Sequence, residues 1–241
     1  MTATALLRKR YPGVPLYLVG ESMGGAVAIL ASVRMGEGAI APNGVVLLAP
    51  AVWGRSTMNV FERAGLWLAD LMPDMRWSPN LIPVRIRASD NVAMLRALGA
   101  DPLVIKATRT VALNGLVNLM GEALAAAPAY RARSLILYGE HDEIVPRQPI
   151  ERFVARLPRD AFSHQRVAYY PNGYHLLTRD LDGSSVVADV LSWIDDREAP
   201  LPSGADIDAR ARLAGAPERP AEAGPRNQAT RGGPAVGRAP S

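Results

Sequence analysis

Gly20-Glu21-Ser22-Met23-Gly24 restricts what this chain can fold into more than any other stretch. An apolar run, Pro15-Leu16-Tyr17-Leu18-Val19, precedes it, and a helix-forming run, Gly25-Ala26-Val27-Ala28-Ile29-Leu30-Ala31, follows it. The order predicts a strand, a sharp turn and a helix, with Ser22 at the apex of a nucleophile elbow. Such a turn leaves no room for a side chain two positions from the serine, so glycine is expected to be required at both Gly20 and Gly24. Ser22 is forced into a sparsely populated backbone conformation, with its hydroxyl at a helix N-terminus that favours developing negative charge. The backbone N–H of Met23 is the expected oxyanion donor. The pentapeptide recurs by chance in many chains, so the rest of the sequence has to supply a base and an acid.

Only three histidines are available. His164 precedes the apolar run Gln165-Arg166-Val167-Ala168-Tyr169-Tyr170 and so lies at the wrong end of a strand. His141 sits in Gly139-Glu140-His141-Asp142, directly beside the better acid candidate. His175 follows the last apolar strand in Pro171-Asn172-Gly173-Tyr174-His175, at the edge where Ser22 should emerge. Elimination leaves His175 as general base. Asp142 follows the strand 134–138 by a short loop and is expected to accept a hydrogen bond from His175, fixing its tautomer and stabilising the imidazolium. Glu140 and Glu143 compete for that role, and Asp142 also fits as a cap for the helix beginning near Arg147. The chain order is serine, aspartate, histidine.

Together these segments resemble the α/β-hydrolase superfamily, in its monoglyceride lipase, lysophospholipase and serine aminopeptidase-like branch. The resemblance is carried by Arg10 to Gly25, Val46-Leu47-Leu48-Ala49-Pro50-Ala51, Tyr138 to Pro146 and Gly173-Tyr174-His175, and it spans residues 2–196. It implies an α/β fold: a partial, mostly parallel sheet flanked by helices, with an inserted helical cap. It also implies cleavage of carboxylic, lipid-like esters through Ser22, Asp142 and His175 with an acyl-enzyme intermediate. Acyl transfer or peptide cleavage is the lesser alternative. No metal or organic cofactor is implied.

The resemblance further implies several strands and a helix before the elbow, whereas twenty-one residues precede Ser22. The expectation is therefore an N-terminally truncated fragment, with Met1 an internal methionine; a naturally short chain that completes its sheet with a partner is the competing reading. Either way the second oxyanion donor is missing, a loss that typically lowers turnover about 10²- to 10³-fold. The elbow strand also becomes an exposed apolar edge. A catalytically inert or partner-binding chain is accordingly the alternative function.

Composition limits the partners. Lys and Arg number 27 against 23 Asp and Glu, an excess too small and too dispersed for nucleic-acid binding. Lys9 and Lys106 are the only lysines, and the Arg, Ala, Gly and Pro bias points to a GC-rich, bacterial genome. With no cysteine, disulfide and thiolate chemistry are excluded. No apolar run approaches the roughly 20 residues of a membrane span, and no signal peptide is evident, so a cytoplasmic location is expected.

Apolar strands at 15–20, 44–50, 134–138 and 165–170, alternating with helices at 2–11, 24–35, 147–156 and 183–196, predict a parallel sheet covered on both faces. The core is assigned to residues 1–52 and 129–196, and residues 53–128 form the inserted helical cap. The cap carries Trp53, Met58, Val60, Phe61, Leu66, Trp67, Leu68, Leu71, Met72 and Trp77. Most are expected to pack the cap onto the core, with one or two lining an acyl groove or touching a lipid surface transiently. Residues 197–241, dominated by Ala, Gly, Pro, Arg and Glu, are expected to form a disordered tail.

Overall fold

The computed structural model describes residues 2–78 and 86–213 of the chain. Its centre is a parallel four-stranded sheet of β1 (Tyr17–Glu21), β2 (Gly44–Leu48), β5 (Ser134–Gly139) and β6 (Gln165–Tyr170), side by side in that order. The expected strands and helices of the core thus form, within a residue or two at most ends. Because all four strands run the same way, the loops after Glu21, Leu48, Gly139 and Tyr170 emerge at one edge. Those loops carry Ser22, Pro50, Asp142 and His175.

Side-chain alternation explains why both faces are covered. Val45, Leu47, Ile136, Tyr138, Val167 and Tyr169 share one buried cluster. Helix α2 (Met23–Met35) adds Ala26 and Ile29 to it, α5 (Thr110–Ala125) adds Leu124, and α6 (Arg147–Ala155) adds Ile150 and Phe153. The intervening residues Val46, Leu48, Leu135, Leu137, Ala168 and Tyr170 belong to a second cluster with Trp193 of α7 (Gly183–Asp195). Each fully buried large apolar side chain contributes about 1.5–3 kcal/mol. β1, with α1 (Thr2–Arg10) leading into it, lies at the sheet edge, and Val19 at its middle is 60% exposed.

Residues 53–128 do not behave as one insertion. Helix α5 packs along α2 and contributes Val117, Ala123 and Leu124 to the buried interior, so it belongs to the helical layer of the core. Gly54 and Gly121 fix the junction: a Cβ at Gly54 would stand 2.3 Å from the Gly121 Cα. Before α5 come α3 (Val60–Asp70), α4 (Val92–Ala100) and a short antiparallel pair, β3 (Arg76–Trp77) with β4 (Thr108–Arg109). A capping box between Asn59 and Glu62 starts α3. Val60, Phe61, Trp67, Leu68, Leu71 and Met72 are exposed, not packed onto the core as expected. The helix meets the body through α5 alone among its principal contacts, which leaves most of its apolar surface outside.

The tail assignment also needs correction. Residues 201–213 are ordered against the body and end in α8 (Ala209–Leu213). Leu201 joins the α7 cluster, while Ala209 and Leu213 join the opposite one. The Tyr169 amide donates to the Ala205 carbonyl at 2.8 Å, and the Arg210 guanidinium donates to the Gln165 carbonyl at 2.6 Å. The segment thus lies along the outer edge of β6 and satisfies part of it. Composition misled because a few apolar residues at suitable spacing suffice to dock a strap whose polar groups find backbone partners. Residues 214–241, the rest of the expected tail, lie outside the described residues. Among the described residues no helix is long and apolar enough to cross a membrane.

Candidate active site

Ser22 stands between β1 and α2 with φ 53° and ψ −117°, a conformation rare for a residue bearing a Cβ. Strain of this kind costs about 1–3 kcal/mol and persists only where the surroundings enforce it. Here the Ser22 amide donates to Leu48 O at 2.9 Å. The Ser22 carbonyl accepts from Gly25 N at 3.0 Å and Ala51 N at 2.8 Å. The hydroxyl makes no capping bond to α2. Met23 opens the helix, so its N–H has no partner within α2 and is free to meet an anion.

The glycine requirement differs from expectation. A Cβ at Gly20 would lie 2.4 Å from the Gly24 carbonyl oxygen, so Gly20 is needed. A Cβ at Gly24 would meet nothing within 4 Å. The second constrained position is Gly25, where a Cβ would come within 2.8 Å of the Pro50 Cβ. The asymmetry arises because the β1 backbone points into the first turn of α2, while Gly24 faces outward. The neighbouring Ala49 has φ 42°, turning the end of β2 so that Pro50 seats against Gly25.

Asp142 and His175 are brought together: His175 Nδ1 lies 2.9 Å from Asp142 Oδ2, and both side chains are almost wholly buried. The other carboxylate oxygen, Oδ1, accepts the amides of Ile144 at 2.9 Å and Val145 at 2.8 Å. Asp142 is therefore no cap for α6, whose N-cap is Pro146 and carries no side-chain bond. Tyr138 donates from its hydroxyl to Val145 O at 3.0 Å. Burial first, then the negative charge of Asp142, push that phenol above its ordinary range, which keeps it a donor. The competing carboxylates go elsewhere: Glu140 is exposed, and Glu143 Oε2 accepts the Arg87 amide at 2.6 Å. His164 bonds Arg131 O at 3.0 Å at the start of β6, and His141 is exposed with its ring against Tyr174.

Convergence of the two loops depends on a contact that motif reasoning missed. A Cβ at Gly139 would stand 2.5 Å from the Gly173 carbonyl carbon, so bare backbones meet there. The His141 amide donates to Gly173 O at 2.9 Å and the Glu140 amide to Tyr170 O at 2.9 Å, locking one loop to the other. The signal in the sequence is a glycine that ends one strand and another two residues before the histidine. Ser22 shares this sheet edge, but among the described residues no hydrogen bond joins its Oγ to His175.

The chain matches the family model described as serine aminopeptidase, S33, over residues 1–182. It is 28% identical over 205 residues to the mouse (Mus musculus) monoglyceride lipase, covering 82% of this chain and 64% of that protein. The human (Homo sapiens) monoglyceride lipase is 28% identical over 201 residues, covering 80% and 62%. The chain thus spans less than two thirds of the length of these curated relatives. A crystal structure of the Paleococcus ferrophilus monoacylglycerol lipase superposes with a TM-score of 0.62 at 22% identity, covering 80% of this chain and 73% of that one. A parallel sheet between helical layers, an elbow after its first described strand and a family match across three quarters of the sequence agree: this chain belongs to the serine aminopeptidase S33 family and has the α/β-hydrolase fold.

Proposed function

We propose that this chain carries the catalytic centre of a serine hydrolase that cleaves carboxylic esters of the monoacylglycerol type. The buried 2.9 Å contact between His175 and Asp142, at the sheet edge that also bears the strained Ser22, supports this reading best. His175 Nε2 removes the Ser22 proton as Oγ attacks the ester carbonyl. Asp142 holds the ring by Nδ1 and stabilises the imidazolium. The Met23 amide stabilises the oxyanion at the N-terminus of α2, where the helix dipole adds to it. Collapse expels the alcohol, protonated by His175. Water, deprotonated by the same imidazole, then releases the acid from Ser22.

Lipid-like substrate is supported by the monoglyceride lipase relatives and by the exposed apolar face of α3, where Phe61 is 83% and Trp67 65% exposed. Those side chains offer a surface for transient contact with aggregated lipid. A fluorophosphonate probe tests the centre directly. The parent is expected to label and Ser22→Ala to remain unlabelled; labelling that persists without Ser22 refutes the assignment.

A further inference from the structure

Asp180 lies five positions beyond His175, outside the residues that exchange protons in the mechanism above. Its Oδ2 accepts the backbone amide of Tyr174, the residue directly before His175, at 2.8 Å. Its own amide donates back to Leu176 O at 3.1 Å, closing the loop on itself. The side chain is buried, and Oδ1 lacks a well-formed hydrogen bond of its own. Burial raises its pKa, opposed by the Ser89 hydroxyl and the Tyr174 amide. A charged acceptor grips an amide roughly twice as strongly as a neutral one.

A second set of bonds reaches the same loop from residues 87–91. On the far side of His175, the Leu176 amide donates to Ala88 O at 2.9 Å. Asn91 Nδ2 donates to Arg179 O at 3.2 Å, and the Leu181 amide donates to Asp90 Oδ1 at 2.8 Å. Fully buried Ser89 lies between the two sets: its hydroxyl reaches Arg179 O at 3.5 Å, and it sits close enough to the Asp180 carboxylate to oppose the rise of its pKa. The amides of the two residues that flank His175 are therefore held, that of Tyr174 by Asp180 and that of Leu176 by Ala88.

We propose that Asp180 is a positioning residue for His175: its grip on the Tyr174 amide keeps the imidazole seated against Asp142 and turned toward Ser22. The inference rests on His175 being the general base, and it deepens that assignment. A ring displaced by about 1 Å loses on the order of 10²-fold in rate.

The test uses the full 241-residue chain and two readouts. The first is the low-field Nδ1–H proton resonance of His175, which reports its bond to Asp142 whether or not the protein turns over substrate. The second is the fluorophosphonate labelling rate per folded molecule. Asp180→Ala is expected to broaden or abolish the resonance and to slow labelling by about 10²-fold. Asp180→Asn, which retains an acceptor for Tyr174, is expected to keep the resonance and a rate within about threefold of the parent. An unchanged resonance and rate in folded Asp180→Ala overturn the proposal. Should Asp180→Ala fail to fold by circular dichroism, Ser89→Ala decides. A weakened resonance there supports the positioning role, and an unchanged one overturns it. A parent that never labels, with the resonance still lost in Asp180→Ala, sinks the hydrolase reading while leaving Asp180 as the residue that seats His175.

Discussion

Alanine at the two glycines of the G-x-S-x-G turn should act in opposite directions, which a symmetric view of the motif does not anticipate. In Gly20→Ala the new methyl group would lie 2.4 Å from Gly24 O, 2.6 Å from Gly24 C and 2.7 Å from Gly25 N. All three are backbone atoms in the first turn of α2, so no side chain can rotate away and the strand must separate from the helix. Overpacking typically costs about 1–3 kcal/mol, and immovable neighbours place this case near the top of that range. Gly24→Ala meets nothing within 4 Å and replaces glycine inside a helix, for an expected gain of about 0.5–1 kcal/mol. The two variants should differ by about 3–4 kcal/mol, or roughly 6–16 °C in Tm at 2–4 °C per kcal/mol. Urea unfolding with matched slopes measures the difference. A Gly20→Ala protein as stable as the parent, or a Gly24→Ala protein equally damaged, would show that the turn geometry has been misread.

Three further outcomes follow from particular contacts. Asp142→Asn keeps an acceptor for the Ile144 and Val145 amides but no longer enforces the His175 tautomer; fluorophosphonate labelling should slow by about 10⁴-fold in a folded protein, and a rate near the parent's refutes the pairing. Leu213→Ala removes a fully buried side chain from the docked C-terminal segment and should cost about 2–5 kcal/mol in urea unfolding; a cost near zero would mean that the segment contributes nothing to the core. Burial, aided by the nearby Asp90 charge, raises the Asp180 pKa, so its contribution to stability is present below the unfolded carboxylate value of about 3.9 and is lost as pH rises through the raised value. Relative to Asp180→Asn, the parent should therefore be more stable at about pH 3 than at pH 6, and a difference constant across that window contradicts the burial argument.

Periodicity made the sheet legible. Residues 44–48 and 134–139 read as continuous apolar runs because β2 and β5 are buried on both faces, and no helical spacing fits them. The shared sheet edge of Ser22, Asp142 and His175 was legible because each follows a strand end, and parallel strands deliver such ends to one edge. Three features were not legible. Whether Gly24 or Gly25 is the constrained glycine depends on where Pro50 sits, and Pro50 belongs to a different strand's loop. Docking of residues 201–213 depends on an open β6 edge that no local composition reports. Burial of α5 against α2, with α3 left outside, depends on which helix faces meet.

Local chemistry thus decided the elements, the elbow and the three candidate side chains at the sheet edge, because backbone sterics and hydrophobic period act over a few residues. Tertiary structure alone decided their seating. The Gly139–Gly173 backbone contact draws the loops of Asp142 and His175 together, and Asp180 with Ala88 holds the amides of Tyr174 and Leu176 on either side of His175. These contacts join residues far apart in the chain through distances of a few ångströms, and only the packed sheet, with its twist and loop exits fixed, sets such distances.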